Sequence, residues 1–333
     1  MKKLTAFALL LSIVLTLFCG CGDTVSSSTP DSVAPKTQVR IAGMKGPTSI
    51  GLVNILENNS NGTALNNYRF TLAGAADEIT PKLIRGELDM AAVPANLASV
   101  LYNKTEGEIQ VLAINTLGVL YIVTKGETVA TLQDLKGKTI YATGKGTTPE
   151  HTLRYLLTQN GINPDTDVNI EFKNEATEVV SAISAAETAI AMLPQPYVTV
   201  AQNKVSGLQI AIDLNTEWER LNPNSGIVTG VLVVRKSFAD ANPHAVNLFL
   251  QEYKQSVEFV NQNNALAAAL VAKHGVFDNQ KVIEKAIPHC NITFISGNDI
   301  ISPINKYLGV LYEQESKSVG GKLPNEDFFR IQE

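Results

Sequence analysis

The segment KTIYATGKGTTPEHTLRYLLTQ, residues 138–159, carries the pattern that decides the fold. Lys138–Ala142 is typical of a short strand, Gly144–Thr148 of a turn, and Pro149–Gln159 has helical spacing with a proline in its first turn. The chain then continues with a strand, a helix and a strand, at Val168–Phe172, Glu175–Ala185 and Ala189–Leu193. Strands that alternate with helices of this length predict βαβ units, and therefore an α/β fold with a mainly parallel sheet.

A matching series lies 100 residues earlier. Residues 41–100 and 141–200 overlay without gaps, and 11 of these 60 positions are identical, against roughly four expected by chance. The identities fall at strand ends and turns, as with Gly46 and Gly146 or Pro94 and Pro194. The repeat predicts two lobes on one βαβαβ plan.

The last third of the chain has a different pattern. Asn215–Gly226, which contains Trp218, is predicted to be a loop, and Val228–Val234 a strand. Helices are predicted at Asn242–Asn261, Ala265–Lys273, Asn279–Ile287 and Asp299–Leu311. We expect these helices to pack on the first lobe.

Composition narrows the possible functions. A length of 333 residues suggests about two domains. With 27 basic against 32 acidic residues, a net charge of −5, there is no basic surplus for binding nucleic acid. Two of the three cysteines lie within the first 21 residues, which excludes a disulfide scaffold, and Cys290 is expected to be a buried small apolar residue.

The N-terminus resembles a bacterial lipoprotein signal. Lys2 and Lys3 precede the apolar run Leu4–Phe18, and Cys21 follows a small residue. We expect residues 1–20 to be a signal peptide and Cys21 to carry lipid, followed by a polar, Pro-containing tether over residues 21–37. A plain secretory peptide and an uncleaved anchor are the alternatives.

The two glycine-containing turns are the main candidates for ligand binding. Each joins a strand end to a helix start, where free N–H groups and a partial positive charge favour a carboxylate, a sulfonate, a phosphate or a polar ring edge. The candidate residues are Lys45, Gly46, Thr48, Ser49, Gly144, Lys145, Gly146, Thr147 and Thr148. Ordinary capped helix starts are the alternative. No arginine lies in these turns, so a bidentate clamp on an anion is not indicated.

Other candidates follow from their position at predicted strand ends. They are Gly74, Asn96, Thr116, Gln195, Tyr197 and Thr229, with Trp218 as a second aromatic residue. Tyr197 is as well suited to the core as to stacking on a ligand. For Trp218, the alternative to stacking on a ligand is that it covers the junction between the lobes.

Known catalytic and metal-binding motifs do not match. Gly144 and Gly146 give G-x-G, but the third glycine of a dinucleotide-binding G-x-G-x-x-G is absent. Gly137-Lys138-Thr139 gives G-K-T, but the glycine that a phosphate-binding loop has five residues before Gly137 is Leu132. The histidines form no H-E-x-x-H, and there is no G-x-S-x-G. The sequence therefore predicts no enzyme site, no metal and no cofactor.

Taken together, these features resemble bacterial ABC-transporter substrate-binding proteins, in the group for nitrate, sulfonate, taurine and thiamine precursors. The resemblance rests on the lipoprotein signal, GELDMAAVP at 86–94, TLQDLKGKTIYATGKGT at 131–147 and GVLVVRKSFADANP at 230–243. It implies a two-lobed, type II periplasmic-binding fold with a hinge. One lobe would be 38–120 with 226–333, and the other 121–225.

The function that the resemblance implies is that of a lipid-anchored, extracytoplasmic receptor for a small polar or anionic organic solute. Its partners would be that solute, an ABC permease with its ATPase, and the membrane through the lipid anchor only; nucleic acid is not expected, and the protein would be a monomer. A pyrimidine-precursor-type enzyme of the same fold and a surface sensor that presents its ligand to a receptor are the alternatives.

Overall fold

The computed structural model of the protein describes residues 36–223 and 225–331. The predicted signal peptide, Cys21 and most of the predicted tether lie outside these residues. Within them, the strands form a six-stranded and a five-stranded sheet.

The six-stranded sheet, here the first sheet, draws strands from both ends of the described chain. They are β1 (Gln38–Met44), β2 (Asn67–Ala73), β3 (Met90–Pro94), β4 (Ile109–Leu117), β10 (Val228–Arg235) and β11 (Ile292–Ser296). Their order across the sheet is β11-β4-β10-β3-β1-β2. The strands β1 to β4 point the same way, whereas β10 and β11 run against them.

The five-stranded sheet, here the second sheet, is built from one continuous stretch. Its strands are β5 (Leu120–Lys125), β6 (Thr139–Ala142), β7 (Asn169–Phe172), β8 (Ala189–Pro194) and β9 (Leu208–Asp213). Their order is β7-β6-β8-β5-β9, and only β5 runs against the others among these strands.

The two sheets share one topology. In each, a central strand (β1 or β6) pairs in parallel with the two strands that follow it, and a reversed strand (β10 or β5) comes next. The repeat in the sequence is therefore a repeat of strand order, and the α/β fold with mainly co-directed strands is confirmed, although both sheets are mixed.

Helices flank both sheets. In chain order they are α1 (Pro47–Ile50), α2 (Val53–Ser60), α3 (Thr80–Ile84), α4 (Ala95–Lys104), α5 (Thr148–Gln159), α6 (Ala176–Ala185), α7 (Tyr197–Lys204), α8 (Leu214–Leu221), α9 (Lys236–Ala241), α10 (Pro243–Gln262), α11 (Asn264–Lys273), α12 (Gln280–Ala286) and α13 (Ile301–Gln314). As expected, α10 and α11 pack on α2 beside the first sheet. None of the helices within the described residues has both the length and the apolar character of a membrane span.

Two local predictions are wrong, and two strands were not predicted. The apolar residues Ile50, Val53 and Leu56 have the spacing of a single helix over 48–56, but the structure divides this segment into α1 and α2, with Gly51 at the break. The predicted loop Asn215–Gly226 contains most of α8, because Leu214, Trp218 and Leu221 form an apolar stripe on one face. The strands β9 and β11 were not expected. Their sequences are short, and β9 is only partly buried.

The core follows from this layering. Every residue of β3 is buried, as expected for a central strand with both faces covered. Cys290 is fully buried and belongs to the cluster under α10 and α11, so its prediction as a small core residue is confirmed. Burial raises the pKa of its thiol.

Candidate ligand-binding site

The turn after β1 presents Lys45 and Gly46 at the end of the first sheet. Lys45 is exposed, and Gly46 has a φ of 131°, a backbone conformation that favours glycine. Gly46, Thr48 and Ser49 are buried. The Ser49 hydroxyl donates a 2.6 Å hydrogen bond to the Met44 carbonyl, so in this conformation it closes the turn.

The turn after β6 is the counterpart in the second sheet. Gly144 and Gly146 both have positive φ, and the Thr147 hydroxyl donates to the Gly144 carbonyl at 2.7 Å. The Gly146 N–H donates to the Glu150 carboxylate at 2.6 Å, and Glu150 also accepts from Arg154 at 2.8 Å. The Glu150 carboxylate, which belongs to the chain itself, therefore already accepts a hydrogen bond from the N–H group just before α5. Lys145 is exposed beside it.

Asn96 joins the end of β3 to the turn after β6. This fully buried residue lies in the first turn of α4, directly after β3. Its Nδ2 donates to the Gly146 carbonyl at 3.3 Å and to the Ser318 carbonyl at 3.0 Å. Its Oδ1 accepts from the Thr148 hydroxyl at 3.3 Å. The end of β3 in the first sheet thus contacts the turn after β6 in the second.

A second approach between the sheets occurs at Gly74. The Glu78 carboxylate accepts hydrogen bonds from the Gly74 and Ala75 N–H groups, at 2.8 and 3.1 Å. At the repeat-related position, Glu178 accepts from the Asn174 N–H at 3.1 Å. A Cβ on Gly74 would lie 3.0 Å from Glu175 Oε1, so the absence of a side chain allows the two loops to approach.

The ends of β4 and β10 hold three buried polar atoms that have no hydrogen-bond partner among the described residues: Asn115 Oδ1, Thr116 Oγ1 and Thr229 Oγ1. Thr116 on β4 pairs with Gly230 on β10, the residue after Thr229. β4 leads into the second sheet, and β10 follows it in the chain. Leaving a buried polar atom unpaired costs about 1–3 kcal/mol. A ligand group that pairs with these atoms would recover part of that cost.

The two predicted aromatic residues have different surroundings. Trp218 is fully buried, with its ring centroid 4.8 Å from that of Tyr155 and 5.0 Å from that of Tyr307. Its ring thus lies between Tyr155 on α5 and Tyr307 on α13. Tyr197 packs edge-on against Phe277 at 5.5 Å. Burial raises the pKa of Tyr197 to about 12, and the nearby carboxylates of Glu175 and Asp278 add to this effect.

Gln195 is engaged within its own helix start. Its Oε1 accepts from the Thr199 hydroxyl at 2.9 Å and from the Thr199 N–H at 3.3 Å. Of the predicted residues, the structure therefore brings Gly74, Asn96, Gly146 and Thr148 to the facing edges of the sheets. It places Thr116 and Thr229 beside the crossovers, and it ties the polar groups of Ser49 and Gln195 to nearby chain atoms.

Three residues near the site were missed from the sequence: Glu150, His151 and Glu175. Glu150 had a sequence signal, because an acidic residue in the first helical turn commonly caps the helix. His151 is largely buried close to the Gly146 carbonyl, Glu150, Glu315 and Arg154, and burial lowers its pKa. The described residues contain no group of three or more His, Cys, Asp or Glu side chains arranged to hold a metal ion.

The sequence of this chain matches a known protein family. The model of the NMT1-like family matches residues 71–274, more than half of the chain. The chain belongs to the NMT1-like family. Curated proteins include none with a matching sequence.

Solved structures resemble this NMT1-like protein over most of its length. A crystal structure titled as an ABC transporter from Parabacteroides distasonis is 25% identical, with a TM-score of 0.72, and the match covers 90% of this chain and 100% of that one. The alkanesulfonate-binding protein SsuA from Xanthomonas axonopodis pv. citri, bound to MOPS, is 15% identical with a TM-score of 0.66, covering 88% and 96%. The periplasmic nitrate-binding protein NrtA from Synechocystis PCC 6803 is 12% identical with a TM-score of 0.65, covering 88% and 87%. At 15% and 12% identity, the similarity of the NMT1-like chain to the last two proteins is one of fold alone.

Proposed function

We propose that this chain is an extracytoplasmic solute-binding protein of an ABC importer, which holds a small polar solute between its two sheets. The observation that carries this proposal is the bridge from Asn96 to Gly146 and Thr148, since it joins the carboxyl ends of strands from both sheets. In open α/β sheets this is the edge at which ligands bind. Membership of the NMT1-like family, and the similarity to structures of an ABC transporter and of periplasmic solute-binding proteins, support the same function.

The proposed movement is a closure of two lobes, residues 38–120 with 226–333 and residues 121–225. Two crossovers, 117–120 and 225–227, would form the hinge. Asn215 contacts both, because its Oδ1 accepts from the Ile227 N–H at 3.3 Å and a Cβ on Gly118 would lie 2.2 Å from that same oxygen. Solute would shift the population toward the closed form by binding it better than the open form.

The proposed ligand-binding residues are those of the two turns, together with the two threonines that have unpaired hydroxyls beside the crossovers. Lys45, Gly46, Gly144, Lys145 and Thr147 would border the solute, and Thr116 and Thr229 would contact it from the crossover side. Asn96 and Thr148 would act by holding the lobes together. The chain would act as a monomer, deliver solute to a permease with its ATPase, and carry out no reaction.

We expect solute to compact the protein. A thermal-shift screen of small anions, amines, vitamins and their precursors would first identify a solute that raises the melting temperature, because a ligand that binds only the folded state stabilises it. Small-angle X-ray scattering with that solute should then show a smaller radius of gyration than without it. A radius that does not change at saturating solute would contradict closure around a ligand.

Lipid attachment at Cys21 is the second part of the proposal, and it would place the protein on the outer side of the cell membrane. Cys21→Ser removes the thiol that would carry the lipid. Without that lipid the proposed membrane anchor is lost. The variant should therefore move from the membrane fraction to the soluble fraction, which immunoblotting of fractionated cells would measure. Cys290→Ser is the control and should stay with the membrane. Membrane retention of Cys21→Ser would rule out the anchor.

A further inference from the structure

We propose that a basic cavity beside the first sheet binds the anionic headgroups of membrane phospholipids and so orients the protein on the membrane. The cavity has a volume of about 340 Å³ and is lined by Arg40, Arg69, Thr71, Lys82, Glu87 and Leu88. This inference goes beyond the proposed solute binding, and it takes from the proposed function only the lipid at Cys21.

The basic residues of the cavity come together through strand register. Strands β1 and β2 are parallel, and they place Arg40 beside Arg69 and Ala42 beside Thr71. Residues paired in this way lie on the same face of a sheet. The helix α3 adds Lys82 to the same cavity. Three cationic side chains and one hydroxyl therefore line it, and each of them can donate hydrogen bonds to the oxygens of a phosphate group.

The acidic groups at the cavity are already paired. The Asp89 carboxylate is buried and accepts hydrogen bonds from the Arg40 N–H at 2.8 Å and from its Nε at 2.9 Å. Glu87 pairs at 2.6 Å with an arginine outside the lining. Arg69 and Lys82 form no ion pair with any described residue. Like charges on neighbouring strands repel each other, so an anion in the cavity would offset a local surplus of positive charge in a chain whose net charge is −5.

The cavity lies away from the proposed solute-binding edge. Arg40 precedes Lys45 by five residues, and Arg69 precedes Gly74 by five. At about 3.3 Å per strand residue, these steps separate the cavity from that edge by roughly 16 Å. The lining residues all fall within 40–88, so a partner bound here contacts the first sheet and not the second. Such a partner makes the same contacts in the open and the closed form, which suits a membrane surface better than a permease that must recognise closure.

The cavity is also close to the point at which the proposed tether would join the first sheet. Arg40 is four residues after Lys36, the first described residue, and Cys21 is 15 residues before it. A chain of 15 residues spans at most about 55 Å, so lipid at Cys21 would keep this end of the sheet near the membrane. Anionic lipids attract basic side chains within about 10 Å. This attraction is screened at physiological ionic strength, so it would orient the anchored protein and would not replace the anchor.

The test measures vesicle binding of the full chain with Cys21→Ser, which removes the proposed lipid. Vesicles of phosphatidylcholine report binding that does not depend on lipid charge, and vesicles of phosphatidylcholine and phosphatidylglycerol in equal parts report the effect of charge. At low ionic strength we expect tighter binding to the anionic vesicles by sedimentation. Arg69→Gln with Lys82→Gln should weaken that binding about tenfold or more, because each basic residue near anionic lipid adds to the attraction.

Lys254→Gln with Lys281→Gln is the matched control. It removes two exposed positive charges from α10 and α12, which pack in the core cluster on the other face of the first sheet. This pair should leave the affinity for anionic vesicles within about twofold. Arg69→Lys keeps the charge and should bind as the parent does. Residues 1–35 are the same in all these chains, so a difference between them reports the described part, and the melting temperature of each reports whether it folds.

The proposal is overturned if the parent binds both kinds of vesicle equally, or if the two double variants bind anionic vesicles alike. Glycerol 3-phosphate separates a membrane surface from a soluble phosphate ester. A rise in melting temperature with this probe, together with equal binding to both kinds of vesicle, would assign the cavity to a soluble ligand and overturn the membrane proposal. No solute is present in these measurements, so each outcome leaves the proposed solute binding in place.

Discussion

Gly230→Ala is expected to lower the free energy of unfolding by about 1–3 kcal/mol and to abolish solute binding. Gly230 lies between Thr116 and Pro94 in the first sheet. A Cβ there would be 2.5 Å from Asn115 Oδ1 and 2.6 Å from Thr48 Cγ2. Both neighbours are buried and joined by a hydrogen bond, so the added methyl group displaces the helix start and the unpaired atoms together.

Chemical denaturation and calorimetry would measure the two effects of Gly230→Ala. Gly309→Ala is the matched control, since no heavy atom lies within 4 Å of the added Cβ and the residue is inside α13. Alanine is favoured over glycine in a helix, so this variant should be as stable as the parent or more stable, by up to about 1 kcal/mol. Equal stability of the parent and Gly230→Ala would show that the β4–β10 region adapts, and would contradict the tight packing.

Asn96→Ala is expected to weaken solute binding roughly tenfold to a hundredfold, because each hydrogen bond lost contributes about 0.5–1.5 kcal/mol and the groups left buried add to the loss. The change removes the bonds to Gly146 and Thr148, which join the two halves, and the bond to Ser318 within the first. Scattering should show a more open protein at a given solute concentration.

Asn103→Ala separates closure from stability. Asn103 lies on the same helix and donates to the carbonyls of Val319 and Lys322, at 2.9 and 2.7 Å, without contacting the second sheet. This control should lose stability and keep its affinity. If Asn96→Ala and Asn103→Ala bind solute equally well, the bridge at Asn96 does not hold the closed form.

The strand–turn–helix units could be predicted because their signals are local. Lys138–Ala142 and Pro149–Gln159 were expected, and β6 and α5 lie at 139–142 and 148–159. The helix α8 was missed although Leu214, Trp218 and Leu221 have helical spacing, because it has only eight residues among asparagines and a following proline. Short elements depend on tertiary packing, which a sequence window does not contain.

For the candidate site, the sequence predicts which residues lie at strand ends, but not the directions of their side chains. Strand ends can be located from the sequence, and at two of them the first sheet approaches the second: Gly74 lies beside Glu175, and Asn96 bonds Gly146. The direction in which a side chain points cannot be read from the sequence in this way. The Ser49 hydroxyl has the same sequence signal whether it binds a ligand or the Met44 carbonyl. The approach of Glu175 to Gly74 depends on how two distant segments are brought together, so no spacing within either segment reveals it.

The placement of β10 has a consequence for synthesis on the ribosome. The second sheet is complete once residue 213 has emerged, whereas the first sheet still lacks β10, which lies between β4 and β3. The nascent chain therefore carries β1 to β4 with an open gap while the later-made sheet already has all its strands. The half that starts first is finished last, and it exposes unpaired strand edges to chaperones and to neighbouring nascent chains during that interval.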